Sequence, residues 1–200
     1  NNKIIAKKTN CEGLYNLTKI SNEKKIKIIH ISTDYVFDGD SKYPYTEEDL
    51  PNPLSYYGKT KLMGEKILKD NCESYLIFRV SWLYGPYKEN FVTKILKAGI
   101  KNKKISVVSD QISIPNSTFE FSKFLWKACE KFIQDSSYYG LYHYSESGSS
   151  ISRYDFVKTI FSYSERFGYK SPIVMPILSE EFKSIAIRPK YSCLNINKTL

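Results

Sequence analysis

The apolar and polar positions along the chain switch repeatedly between two periods. In residues 1–20, Ala6, Asn10, Gly13, Leu14 and Leu17 share one face at helical spacing, which predicts a helix from Asn1 to Ile20. Residues 25–32 are short and β-branched and read as a buried strand. Residues 34–52 carry no periodic run and are rich in Asp, Gly, Pro and Tyr, and a loop of that length in a compact domain is usually functional. A helix carrying Tyr57 follows, entered through Asn52, Pro53, Leu54 and Ser55. Beyond it the pattern predicts a strand at 74–80, a helix at 91–100 and a strand at 104–108. An amphipathic helix at 118–132 turns Phe121, Phe124, Leu125, Ala128 and Phe132 inward. A strand at 140–144, a helix from Ser152 through Phe161 capped by the Ser152 hydroxyl, and an extended piece at 172–177 complete the pass. Strands separated by helices predict an α/β fold with a mostly parallel sheet covered on both faces.

Composition narrows this picture without changing it. A chain of 200 residues, 42% hydrophobic and 15% aromatic, has material for one core and a small second lobe. No apolar run approaches the roughly 20 residues of a membrane span, and the first residues lack the pattern of a signal peptide, so no membrane partner is expected. Cys11, Cys72, Cys129 and Cys193 lie far apart and the histidines are His30 and His143, which argues against a metal site or disulfide framework and suits a reducing cytoplasm. The net charge is +9, but the lysines are spread over expected helix surfaces and turns, so solvated faces are expected rather than a nucleic-acid partner. The positive field would favour a ligand bearing a diphosphate.

Candidate chemistry lies where strands end, because ligands of parallel sheets sit beyond the carboxyl ends of the strands. Residues 32–39 (STDYVFDG) and 81–86 (SWLYGP) are such ends, rich in hydroxyl, carboxylate and aromatic groups. On the helix that follows the long loop, Tyr57 and Lys61 stand four apart on one face. A phenol beside an ammonium has a lowered pKa and can serve as an acid or base for carbonyl chemistry. Tyr56 with Lys59 is a competing pair, and a solvated face or a packed ring are the other readings of these residues. No Gly-x-Gly-x-x-Gly or Gly-x-x-Gly-x-x-Gly turn for a dinucleotide occurs, and the chain opens in a helix. The expectation is therefore a later part of a longer protein, lacking an opening portion of about two βα units.

Several motifs carry a resemblance. Asn10 to Leu17 reads NCEGLYNL, an Asn-x-x-Gly-x-x-Asn-Leu helix; 32–39 reads STDYVFDG; 44–49 and 51–54 read PYTEED and PNPL. Tyr57 to Lys61 is a Tyr-x-x-x-Lys helix start, and 79–85 reads RVSWLYG, with Asn90-Phe91 after it. Residues 110–115 read DQISIP, with Ser113 where Gly is usual, and 186–189 read AIRP, followed by Leu194-Asn195. In this order the motifs resemble the extended short-chain dehydrogenase/reductases, and within them the dTDP-4-dehydrorhamnose reductase family.

The resemblance implies a Rossmann-like doubly wound sheet with a small substrate-binding lobe. Residues 1–84 and 115–144 would be the remainder of the dinucleotide-binding domain, and 85–114 and 145–200 the substrate-binding lobe. It implies an NAD(P)H-dependent oxidoreductase that reduces the C4 keto group of dTDP-4-dehydro-L-rhamnose. Tyr57 would donate the proton, and Lys61 would lower its pKa and hold the nicotinamide ribose. Thr33 would orient the carbonyl oxygen, and Asp34, Tyr35 and Trp82 would contact the dTDP-sugar. Asn10 would fall near this site. Thr33 also reads as a β-branched strand end, Trp82 as a core aromatic, and Arg188 as either a loop anchor or a phosphate ligand. The resemblance is compatible with a homodimer and with Mg, though no residue places the metal. A reductase or epimerase acting on another nucleotide sugar, and a non-catalytic relative like the methionine adenosyltransferase regulatory subunit, are the competing readings.

Overall fold

The computed structural model describes residues 2–135, 137–182 and 186–199. Asn1 and Leu200, which bound ranges expected from sequence, lie outside them. In chain order the elements begin with α1 (Asn2–Lys7), a π-helical turn (Lys8–Glu12), α2 (Gly13–Lys24) and β1 (Ile28–Thr33). After a 3-10 turn (Asp34–Val36) come α3 (Tyr56–Asn71), β2 (Tyr75–Val80), β3 (Leu83–Tyr84), α4 (Phe91–Lys101) and β4 (Lys104–Val108). Then follow β5 (Ile112–Ser113), β6 (Asn116–Ser117), α5 (Thr118–Gln134), β7 (Gly140–Tyr144), β8 (Ile151–Ser152), α6 (Arg153–Glu165) and β9 (Ile173–Ile177).

The sheet β1-β2-β7 is parallel throughout and covered on both faces, as the alternation predicts. Successive side chains of β2 point to opposite faces. Leu76, Phe78 and Val80 pack against Phe121 and Phe132 of α5. Ile77 points the other way, into a cluster with Leu14 of α2 and Leu68 of α3. Arg79 follows Ile77 on that face and meets Glu65 of α3. A second parallel pair, β4-β9, is covered by α6 through Val107, Val157 and Phe161.

Two expectations need correction. The stripe that the first helical stretch buries is Cys11, Leu14, Thr18 and Ser21, whereas Leu17 is 56% exposed. The π-helical turn shifts the helical phase before Leu14, so a face drawn at a constant period misses the buried one. The strand expected at 25–32 starts at Ile28, after Lys25 closes α2 in the left-handed conformation (φ 54°). It is half-buried rather than buried, with Ile31 at 41% exposure, because β1 is a sheet edge among the described residues.

The long loop is a packed strap. Val36, Phe37 and Tyr45 form a core cluster with Leu194, and the Phe37 and Tyr45 rings stack at 4.1 Å. Tyr45 is bound on both sides to the C-terminal segment, its N–H donating to Cys193 O and its carbonyl accepting from Asn195 N. The Tyr45 hydroxyl accepts from Gly39 N and Ser41 N and donates to Asp38 Oδ1.

Candidate active site

Where β1 and β2 end, a cavity of about 310 Å³ opens. Thr33, Asp34 and Tyr35 from the first strand end, Trp82 from the second, and Tyr57 from α3 all line it. Thr33 closes β1 and caps the 3-10 turn, its hydroxyl accepting from Tyr35 N at 3.2 Å and donating to Asp34 Oδ1 at 3.0 Å. Ser55 caps α3, its hydroxyl accepting from Gly58 N at 3.1 Å. Gly58 is required for the approach of this helix to the strand end: a Cβ there would stand 2.1 Å from the Tyr35 carbonyl oxygen. The Tyr57 ring then meets Tyr35 edge to face at 6.2 Å, and the Thr33 hydroxyl lies in hydrogen-bonding reach of the Tyr57 phenol. Tyr56, the alternative, instead carries the Lys3 ammonium over its ring.

The electrostatics differ from the expectation for Tyr57. Its ring is half-exposed, but the hydroxyl end is enclosed, and burial pushes the phenol up rather than down. The Thr33 hydrogen bond lowers it, while Asp34 and Tyr35 add to the rise. The Lys61 ammonium does not act on it here, because it is turned to β1, donating to Ile31 O at 2.7 Å and lying 3.1 Å from His30 Nε2. Burial lowers Lys61, and burial together with Lys61 lowers His30 to about 4, so His30 stays neutral and can accept from the ammonium. Asp34 is raised to about 6 by burial, against hydrogen bonds from Ser192 and Thr33 and the field of Arg153.

Trp82 lines the cavity through a left-handed backbone (φ 40°), a conformation that bulky residues seldom adopt. Its ring is packed against Phe156 at 6.3 Å, and the Arg153 guanidinium lies 4.1 Å from its centroid. Asn10 does not line the cavity; its amide donates to Thr60 on α3 at 3.0 Å and so braces the helix that carries Tyr57. Arg188 is partly buried, close enough to act on Tyr35 and Arg153 by its charge. Of the two residues expected at a nicotinamide ribose, Tyr57 lines the cavity and Lys61 does not, its ammonium being held against β1 by Ile31 O and His30. Among the described residues no group of three or more His, Cys, Asp and Glu could hold a metal ion, and nothing in them supports the Mg that the resemblance allowed.

Three features were missed from sequence. Arg153, Phe91 and Phe156 also line the cavity. Arg79 and Glu65 form a buried pair at 2.6 Å that fastens α3 to the sheet, with Ser32 donating to the same carboxylate. Gln111, buried, holds Arg153. A signal existed for two of them. Of 30 basic residues only Arg79, Arg153, Arg166 and Arg188 are arginine, and a chain this biased to lysine marks by its arginines the places that need a planar fork.

Comparison with known proteins gives the same direction. The family described as RmlD substrate binding domain matches residues 1–200. A dTDP-4-dehydrorhamnose reductase of Aggregatibacter actinomycetemcomitans is 34% identical over 192 residues, covering 94% of this chain and 65% of that relative. The crystal structure of dTDP-4-dehydrorhamnose reductase from Bacillus anthracis in complex with NADP is 39% identical, with a TM-score of 0.82, over 94% of this chain and 64% of that one. The Clostridium acetobutylicum orthologue is 38% identical, with a TM-score of 0.86, over 98% and 66%. The chain thus spans a little under two thirds of the length of the curated relatives it matches.

Proposed function

The chain belongs to the RmlD substrate binding domain family, and from that premise we propose that its protein reduces the C4 keto group of dTDP-4-dehydro-L-rhamnose with NADPH or NADH. The observation that carries this reading is the convergence of Thr33, Asp34, Tyr35, Tyr57 and Trp82 on one cavity, with the Thr33 hydroxyl beside the Tyr57 phenol. Reduction of a ketone needs a protonated donor at the oxygen, and the raised Tyr57 pKa keeps the phenol protonated at neutral pH. Tyr57 gives its proton to the substrate O4. Thr33 orients that oxygen by donating to it, its hydroxyl proton turning to the substrate from Asp34 Oδ1, where it rests in the structure. The nicotinamide, when bound, supplies the hydride. Tyr57 would hold its ribose together with Lys61, whose ammonium His30 and Ile31 O keep at the strand end.

We assign 1–84 and 115–144 to the dinucleotide-binding part and 85–114 and 145–200 to the substrate lobe; the separate sheets β1-β2-β7 and β4-β9 support the division. Free, scattered thiols support a cytoplasmic protein, and no helix among the described residues is long and apolar enough to cross a membrane.

The test follows NADPH absorbance with the dTDP-4-keto sugar, using the protein that carries this chain. Tyr57→Phe is expected to lower turnover by about 10²-fold or more while NADPH binding is retained. A fully active Tyr57→Phe variant removes Tyr57 as proton donor. Oxidation of NADPH with a UDP-4-keto sugar but not its dTDP counterpart would move the substrate to another nucleotide.

A further inference from the structure

The proton chemistry leaves one wall of the cavity unused. Arg153 opens α6, and its place is set by the β5-β8 ladder and by its own N–H, which donates to Gln111 O at 3.0 Å. Val157 and Phe161 on the same helix are buried against Val107, which turns Arg153 and Phe156 toward the cavity. Among the described residues the guanidinium is gripped by neutral groups alone. Nε donates to Gln111 Oε1 at 2.9 Å and Nη2 to the Tyr35 hydroxyl at 3.2 Å. The rings of Trp82 and Phe91 lie 4.1 and 4.9 Å from its carbon.

This is a partly buried cation without a counter-ion among the described residues. Its charged neighbour Arg188 has the same sign. The neighbouring carboxylate, Asp34, is itself buried, and its Oδ2 has no hydrogen-bond partner among the described residues. Taking a cation out of water is unfavourable unless an anion meets it. A guanidinium fixed in orientation, with part of its fork free, suits planar recognition of phosphate.

We propose that Arg153 is the phosphate-binding residue of this cavity, receiving the diphosphate of the nucleotide-sugar and thereby setting how far the sugar enters. The proposal rests on the nucleotide-sugar reading given above. The layout agrees with the substrate's own geometry. In a hexose, C1, which bears the diphosphate, lies across the ring from C4, which bears the carbonyl. Tyr35 spans the same interval in the protein: its ring packs on Tyr57 and its hydroxyl bonds Arg153. A sugar with O4 at Thr33 and Tyr57 therefore directs its phosphates to the Arg153 wall.

Calorimetric titration of dTDP, thymidine and inorganic pyrophosphate into the chain and its Arg153→Gln and Arg153→Lys variants tests this. Arg153→Gln is expected to weaken dTDP at least tenfold, about 1.4 kcal/mol, and to flatten the salt dependence of binding. Thymidine should bind all three alike. Arg153→Lys keeps the charge but not the fork, and is expected to weaken pyrophosphate severalfold. dTDP binding by Arg153→Gln at the wild-type strength overturns the proposal and leaves the nucleotide-sugar reading standing. No dTDP binding by the wild type overturns both. Should Arg153→Gln lose its near-ultraviolet dichroism, the lysine variant decides, and wild-type pyrophosphate affinity there overturns the proposal.

Discussion

Glu65 with Arg79, both buried, and buried Asp34 with partly buried Arg153 are two carboxylate–guanidinium couples in the same molecule, and they are treated in opposite ways. The first is closed. Two hydrogen bonds at 2.6 and 3.0 Å join the side chains, Ser32 donates to the same carboxylate, and the guanidinium also faces His143 and the Phe37 ring. The second is open. No ion pair joins Asp34 to Arg153, each is held by neutral neighbours, and the Asp34 carboxyl is pushed up to about 6. Burial of charge therefore does not by itself mark a site. Burial without compensation does, and it occurs here at the strand ends, where a ligand can supply what is missing.

The closed couple gives the largest effect. Arg79→Leu strands the Glu65 carboxylate, which is fully buried, and is expected to cost about 3–5 kcal/mol in urea unfolding. Replacing both partners, Glu65→Leu with Arg79→Leu, should recover most of that loss, because two well-packed apolar groups often match a buried pair. A double variant no more stable than the single one would mean that the couple is not a self-contained unit.

The open couple should respond with the opposite sign. Asp34 is raised in the fold from 3.8 to about 6, so between those values the native state holds a proton that the unfolded chain has released. The stability it contributes is whole below about pH 4 and is lost as pH rises through about 6. His30 and His143, lowered from 6.5 to about 4, act the other way over an overlapping window, so the wild-type profile alone is ambiguous. The difference between wild type and Asp34→Asn isolates the carboxyl. The variant is expected to gain on the wild type from pH 4 to pH 7, by ~3 kcal/mol at most, read from unfolding free energies at each pH. A gap that does not change with pH would make Asp34 as well compensated as Glu65 and erase the contrast.

The closed and open regions were not equally legible in the sequence. The alternation of apolar runs carried the parallel sheet and both covering layers, because β2 buries alternate residues on its two faces and period-2 logic applies directly. The strand-end motif and the Tyr57 helix were legible because a site beyond a strand end is a rule of topology. The direction of the Tyr57 shift was not. Helical spacing places Lys61 on the same face, but it cannot show that Ile31 O and His30 draw the ammonium to β1. Nor could spacing show that residues 111 and 153 meet, since the ladder that joins them pairs two-residue strands far apart in sequence. Leu17 failed for a local reason, the π-helical turn that shifts the helical phase ahead of it.

The smallest expected effect lies at the hinge between the two regions. Ser55 caps α3 and satisfies Gly58 N–H, one of the helix-start donors left without an intrahelical partner. Removing the cap in Ser55→Ala should cost about 1 kcal/mol in urea unfolding, and Ser55→Asp should restore it. The first turn also carries Tyr57, and Gly58 within it sits against the Tyr35 carbonyl, so a frayed turn loosens Tyr57 on Thr33 before it loosens the sheet. Turnover in Ser55→Ala should accordingly fall severalfold at a temperature where the protein remains folded, with dTDP affinity unchanged, because Arg153 is positioned from α6 instead. If dTDP binding weakens as much as turnover, the proton end and the phosphate end of the cavity are one mechanical unit, and the open region is less divided than its hydrogen bonds indicate.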